Sequence, residues 1–93
     1  SRAVNEQELA AKTEEVNSAL KTYQTSLQAM DDKRAVEAGE RLIDMDCGVC
    51  TSIGQHLTGL AVAITTAPHP KRKESIRTEA LQSVEGILDD LSL

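Results

Sequence analysis

The sequence predicts an all-α fold, a three-helix antiparallel bundle with a long central helix that is completed by oligomerisation. Three observations predict it. Apolar residues recur at steps of three and four along three stretches, the period of a helix with one face turned inward. No stretch alternates apolar and polar as a half-buried strand does. The only two prolines stand together in Ala67-Pro68-His69-Pro70, the clearest break in the chain.

The first helix is expected over about residues 5–30, with Asn5 as its N-cap and Glu8 three residues on, as in a capping box. Its stripe reads Val16, Leu20, Tyr23, Leu27, Met30. Glu8 and Lys12 are spaced to pair on the outer face. Asp31-Asp32 forms the turn, and Asp32 is positioned to cap the second helix, expected over about 33–66. One stripe there runs Val36, Gly39, Ile43, Asp46, Cys50, Ile53, Leu57, Leu60, Ile64, and a second (Ala35, Ala38, Leu42, Met45, Val49) lies beside it. A face this wide can contact two helices. The third helix is expected over about 70–91. Pro70 is tolerated in its first turn, and its stripe is Ile76, Ala80, Val84, Ile87, Leu91, with Leu81 and Leu88 beside it. Together these make one domain, residues 1–93.

Composition limits how such a domain can be stable. Among 93 residues there is one tyrosine, no phenylalanine and no tryptophan. Aromatic rings supply much of the buried area in small domains, so here the core must come from aliphatic side chains and alanine. A core of that kind is often completed by a second chain. The net charge of −5 repels phosphate, which argues against nucleic acid as a partner.

From Cys47 to Pro70 the chain carries no Asp, Glu, Lys or Arg, although 27% of all residues are charged. A membrane span is rejected for this stretch, because it holds Gln55, His56, three glycines and several hydroxyls. Its continuous apolar part falls short of the ~30 Å of a bilayer core. Gly48, Ser52, Gln55, Gly59 and Ala63 fall close to one line on the side away from Leu57, and small residues at such spacing let helices approach closely. Each glycine in a helix costs roughly 1 kcal/mol relative to alanine, so a compensating contact or a bend is expected. The expected interface is this line, and the expected partner is a second copy of the chain, because symmetric homo-oligomers are the commonest assemblies. Another helical protein is the other option.

Two features invite chemistry. Cys47-Gly48-Val49-Cys50 has the spacing of thiol oxidoreductases, which need the first sulfur at a helix N-terminus and expect a preceding strand in a βαβ setting. The continuous helix read across this region places Cys47 mid-helix, with Asp44 and Asp46 nearby to raise its pKa, and that counts against redox catalysis. A zinc site needs four ligands, and one pair supplies two, so a metal would have to be shared between chains. Otherwise Cys50 is a small core residue and Cys47 flanks it. Asp46 either fixes register on the apolar seam or marks the bundle edge. The second feature is the basic cluster Lys71, Arg72, Lys73 and Arg77 at the start of the last helix. Its default reading is a solvated charged turn; otherwise it suits an anion or an acidic partner, or the acidic residues Glu6, Glu8, Glu14 and Glu15 of the first helix. No phosphate loop, metal-binding His-Glu motif or nucleophile elbow is present.

The reading is a non-enzymatic helical interaction or assembly module, a scaffold with coiled-coil-like packing that self-associates through the uncharged half of helix two. No cofactor is expected. The alternative is a thiol redox or inter-chain metal-binding protein built on Cys47 and Cys50. One close cysteine pair is not a disulfide framework, so a reducing, cytoplasmic setting is expected.

Overall fold

A computed structural model describes residues 2–91, with side chains from Lys12 onward. It shows four helices: α1 (Arg2–Gln28), α2 (Asp32–Ile43), α3 (Gly48–Thr66) and α4 (Pro70–Leu91). The all-α expectation holds for the described residues, and the three-helix count is corrected to four, because the long second helix divides at residues 44–47.

The reason for the division is local and tertiary together. Asp44 closes α2, its N–H reaching back to Glu40 and Leu42. Cys47 is extended, with φ −163° and ψ 119°, and starts α3. Asp44, Asp46 and Gly48 all have poor helix propensity, and aspartate competes for backbone N–H groups. The chain then folds back so that α3 lies along α2. The three–four stripe runs through the break without a step because both helices face one core, so periodicity alone could not reveal it.

The helices run up, down, up, down. Arg77 near the start of α4 pairs with Asp32 at the start of α2. Lys73 donates to the carbonyl oxygens of Ile64 at 2.8 Å and Thr65 at 3.4 Å, at the end of α3. At the other end Lys12 of α1 donates to the Asp46 carbonyl oxygen at 2.6 Å, and Leu91 closes the same cleft. Each helix packs on its neighbour in the chain, and α1 packs on α4 to close the ring.

The first turn between helices is made by Met30, whose φ is 61°. Asp31 N–H bonds to Ser26 O at 2.8 Å and Met30 N–H to Leu27 O at 3.1 Å, the paired closure of a left-handed helix stop. This swings Met30 off the apolar stripe, and it is 70% exposed. Asp31, rather than Asp32, then caps α2, its carboxylate accepting the Arg34 N–H at 3.2 Å. At the other end α1 already begins at Arg2, so Asn5 lies inside the helix and does not cap it. The Glu8 side of the Glu8–Lys12 pairing lies outside the described side chains.

Val16, Leu20, Tyr23 and Leu27 of α1 are buried, as are Leu57 and Ile64 of α3 and Ile76, Ala80 and Val84 of α4. In α2 the second stripe wins, with Ala35, Ala38 and Leu42 fully covered, while Val49 beyond the break is 69% exposed. The closest approach is between α2 and α3. A Cβ on Gly54 would stand 2.7 Å from Ile43 N and 2.9 Å from Gly39 O, and one on Gly39 would stand 3.1 Å from Thr58 N. Tyr23 crosses the core, its hydroxyl donating to Leu57 O at 2.6 Å, and burial raises its phenol pKa well above the ordinary value.

Two predictions follow from this packing. Gly54→Ala should destabilise by about 1–3 kcal/mol through overpacking, whereas Gly86→Ala, where a Cβ meets nothing within 4 Å, should stabilise by about 0.5–1 kcal/mol. Urea unfolding followed by circular dichroism checks both, and a stabilising Gly54→Ala would refute the close approach. Tyr23 is the only tyrosine, so phenolate absorbance reports it alone. Its raised pKa means the unfolded chain releases the proton first, so its contribution is complete below about pH 10 and is lost above that. The phenolate band should therefore appear together with loss of helicity; an ordinary titration with helices intact would contradict the burial.

Candidate functional site

Two surfaces carry the residues singled out by the sequence, and both belong to α3. The first is its N-terminal turn. Cys47 is the N-cap, and its Sγ accepts the Cys50 N–H at 3.2 Å. The mid-helix placement expected for Cys47 is thus overturned. The two sulfurs are joined in a disulfide, with Cα atoms 5.1 Å apart. Cys50 is 5% exposed and belongs to the core, whereas Cys47 is half-buried. Thr51 braces the turn by donating to Cys47 O at 3.1 Å and to Ile43 O at 3.3 Å. Asp46 lies in the turn, exposed, at the bundle edge rather than on the apolar seam; its carbonyl oxygen accepts from Lys12.

Beside the disulfide is a cleft of about 180 Å³ lined by Lys12, Thr13, Val16, Cys47, Val49, Cys50, Ile53 and Leu91. One charge, Lys12, reaches it, and the rest of the wall is largely aliphatic. Sequence reading missed this cleft. The pair Asp44-x-Asp46 just before Cys47-Gly48 is the signal that would have found it, because it combines a helix stop with a helix start.

The second surface is the outer face of α3. Gly48, Ser52, Gln55 and Gly59 are exposed and Ala63 is half-buried, so the structure brings them onto one open side. A Cβ at Gly48 or Gly59 would meet nothing within 4 Å. The close helix approach inside the chain therefore uses Gly39 and Gly54, not the Gly48–Ala63 line. His56 lies at the edge of this face, 3.5 Å from Ser83 Oγ of α4.

The basic cluster divides. Lys73 covers the carbonyl end of α3, where a cation meets the negative end of the helix dipole. Arg77 pairs with Asp32 of α2, their side chains 12% and 20% exposed. Among the described side chains the internal acidic partner of Arg77 is Asp32 of α2. Of the four acidic residues named in the first helix, Glu6 and Glu8 lie outside the described side chains. Lys71 and Arg72 are exposed. Among the described residues no three His, Cys, Asp or Glu converge to hold a metal ion, and no helix is long and apolar enough to cross a membrane.

The fold defines the class, an up-and-down four-helix bundle with a disulfide across the first turn of its third helix. No family model, curated protein or solved structure matches the chain.

The division of the basic cluster is testable. Arg77→Met should destabilise by about 1–3 kcal/mol because it strands a largely covered Asp32 carboxylate, while Lys71→Met should stay within about 0.5 kcal/mol of wild type. Equal thermal midpoints for the two variants would remove the internal role of Arg77.

Proposed function

We propose that this chain is a helical protein–protein interaction or assembly module that associates with a second copy of itself through the outer face of α3. The observation that carries the reading is that this face is open and uncharged from end to end. Gly48, Val49, Ser52, Gln55, His56, Gly59, Val62, Thr65 and Thr66 are all exposed, and none is Asp, Glu, Lys or Arg. A solvent-facing helix side ordinarily carries charge. The chain as a whole bears −5, so two copies repel each other over most of their surface. The α3 face is where like-charged molecules can meet without opposing charges of one sign.

The two open glycines fit the same reading. Gly39 and Gly54 are explained by the α2–α3 contact, but Gly48 and Gly59 serve no contact within the chain. A partner backbone lying against them compensates the helix propensity they sacrifice, and Gln55 between them can hydrogen-bond across the contact. Self-association of this kind asks for no catalytic group, only a face that a second copy can cover.

Gly59→Leu tests the proposal cleanly. The site has room for the side chain, so the variant should keep its helicity and gain helix propensity by up to about 1 kcal/mol. Its larger side chain should block the close approach of two copies. Sedimentation velocity across a concentration series should show association for the wild type and a shift toward monomer for Gly59→Leu. A wild-type chain that stays monomeric at high concentration, or a variant that associates equally well, would overturn the proposal.

A further inference from the structure

The division of the second helix changes what the cysteine pair can do. We propose that Cys47–Cys50 is a thiol–disulfide exchange site, with Cys47 the sulfur that meets the substrate, and that its substrates are cysteine pairs of polypeptides flanked by aliphatic residues.

The disulfide itself carries the inference. It joins two residues already held within one helical turn. Cross-links stabilise most when they close long loops, so this bond is poorly placed as a staple. A bundle with a continuous core around α1–α4 does not need it to hold distant segments together. Cys47 is the cap of α3 and Cys50 a core side chain, so opening the bond should leave the helices in place.

The two sulfurs also differ in access. Cys50 is 5% exposed and Cys47 is half-buried on the wall of the cleft. An incoming thiolate therefore reaches Cys47. In the disulfide the Cys47 sulfur caps α3 and accepts the Cys50 N–H, and a helix N-terminus is a position where a thiolate is favoured over a thiol. Lys12, fixed to the Asp46 carbonyl oxygen, is the charged residue of the cleft wall. Asp44 and Asp46 oppose this effect, but both are exposed, where water weakens their influence. Val16, Val49, Ile53 and Leu91 line the same cleft and favour an aliphatic stretch beside the reacting cysteine.

The exchange balances as follows. One thiolate of a substrate dithiol attacks Cys47 Sγ; the Cys47–Cys50 bond breaks and its electron pair leaves on Cys50 Sγ, which takes up a proton. A mixed disulfide now joins substrate and Cys47. The second substrate thiolate attacks the substrate sulfur of that bond and expels Cys47 as a thiolate. The substrate is oxidised to a disulfide, and the protein gains two electrons. The reverse sequence reduces a substrate disulfide.

The test uses the full chain and its Cys47→Ser and Cys50→Ser variants, with two probes: glutathione disulfide, and the disulfide of a short peptide carrying one cysteine between leucine and valine. Dithiothreitol should open the wild-type disulfide reversibly with helicity unchanged. Cys50→Ser, which leaves Cys47, should form mixed disulfides at least about tenfold faster than Cys47→Ser, given the differences in access and thiolate character. Val49→Gln, a neutral change on the cleft wall, should slow reaction with the apolar peptide more than reaction with glutathione disulfide. Equal rates for the two cysteine variants, or loss of helicity on reduction, would overturn the exchange site. Equal slowing of both probes by Val49→Gln would overturn the substrate class. The two readings fail separately: sedimentation of Gly59→Leu reports association, and the rates of the two cysteine variants report exchange, measured on dilute protein because Val49 lies on both surfaces.

Discussion

The bundle depends on how closely α2 and α3 can lie together. With one aromatic ring in the whole chain, little stability can come from large buried side chains, and the alternative is to bring backbones into contact. Gly39 and Gly54 make that possible, since a methyl group at either would intrude on the opposite helix. The consequences spread outward. The fold-back demands a sharp turn after Ile43, the turn makes Cys47 a helix cap, and the tight inner seam rotates Gly48, Ser52, Gln55 and Gly59 to the open side. Both candidate surfaces are therefore products of one glycine-mediated seam.

The ends of the helices show the same economy. Asp31 caps α2, the Cys47 sulfur caps α3, Lys73 covers the carbonyls where α3 ends, and Arg77 links the starts of α2 and α4. Helix termini leave backbone groups without partners inside the helix, and at these ends side chains from the adjoining turn or helix meet some of them. The polar interactions are few, but they fall where a missing partner would be most costly. Tyr23 does the same in the core, filling the centre and spending its hydroxyl on the Leu57 carbonyl.

Helical class, the proline break and the buried faces of α1 and α4 were legible because spacing of three and four reports them directly. Pro70 marks the start of α4, and Leu20, Leu27, Ala80 and Val84 are all fully covered. The α2–α3 junction was not legible from that signal. Its two helices present their stripes to one core, so the period continues through Asp46 as if the chain were straight. Composition held the missing information, in two aspartates followed by Cys47 and Gly48. Met30 misled for a related reason: its place on the stripe is apolar, but the left-handed turn carries it into solvent. The small residues Gly48, Ser52 and Gly59 lie exposed on α3, whereas the small-residue contact within the chain lies on Gly39 and Gly54. Lys12 could not be linked to the cysteine turn, because 34 residues separate it from Asp46.

Each helix rests on the one that follows it in the chain, joined by turns of a few residues. Most of the native architecture can therefore assemble between segments that are never far apart along the polypeptide. Topologies of this kind have short search distances and fold in microseconds to milliseconds. The α2–α3 hairpin, compact and glycine-seamed, is suited to form early. Among the described helices the return of α4 onto α1 bridges the longest stretch of chain, so ring closure carries the largest loop-closure entropy of the fold.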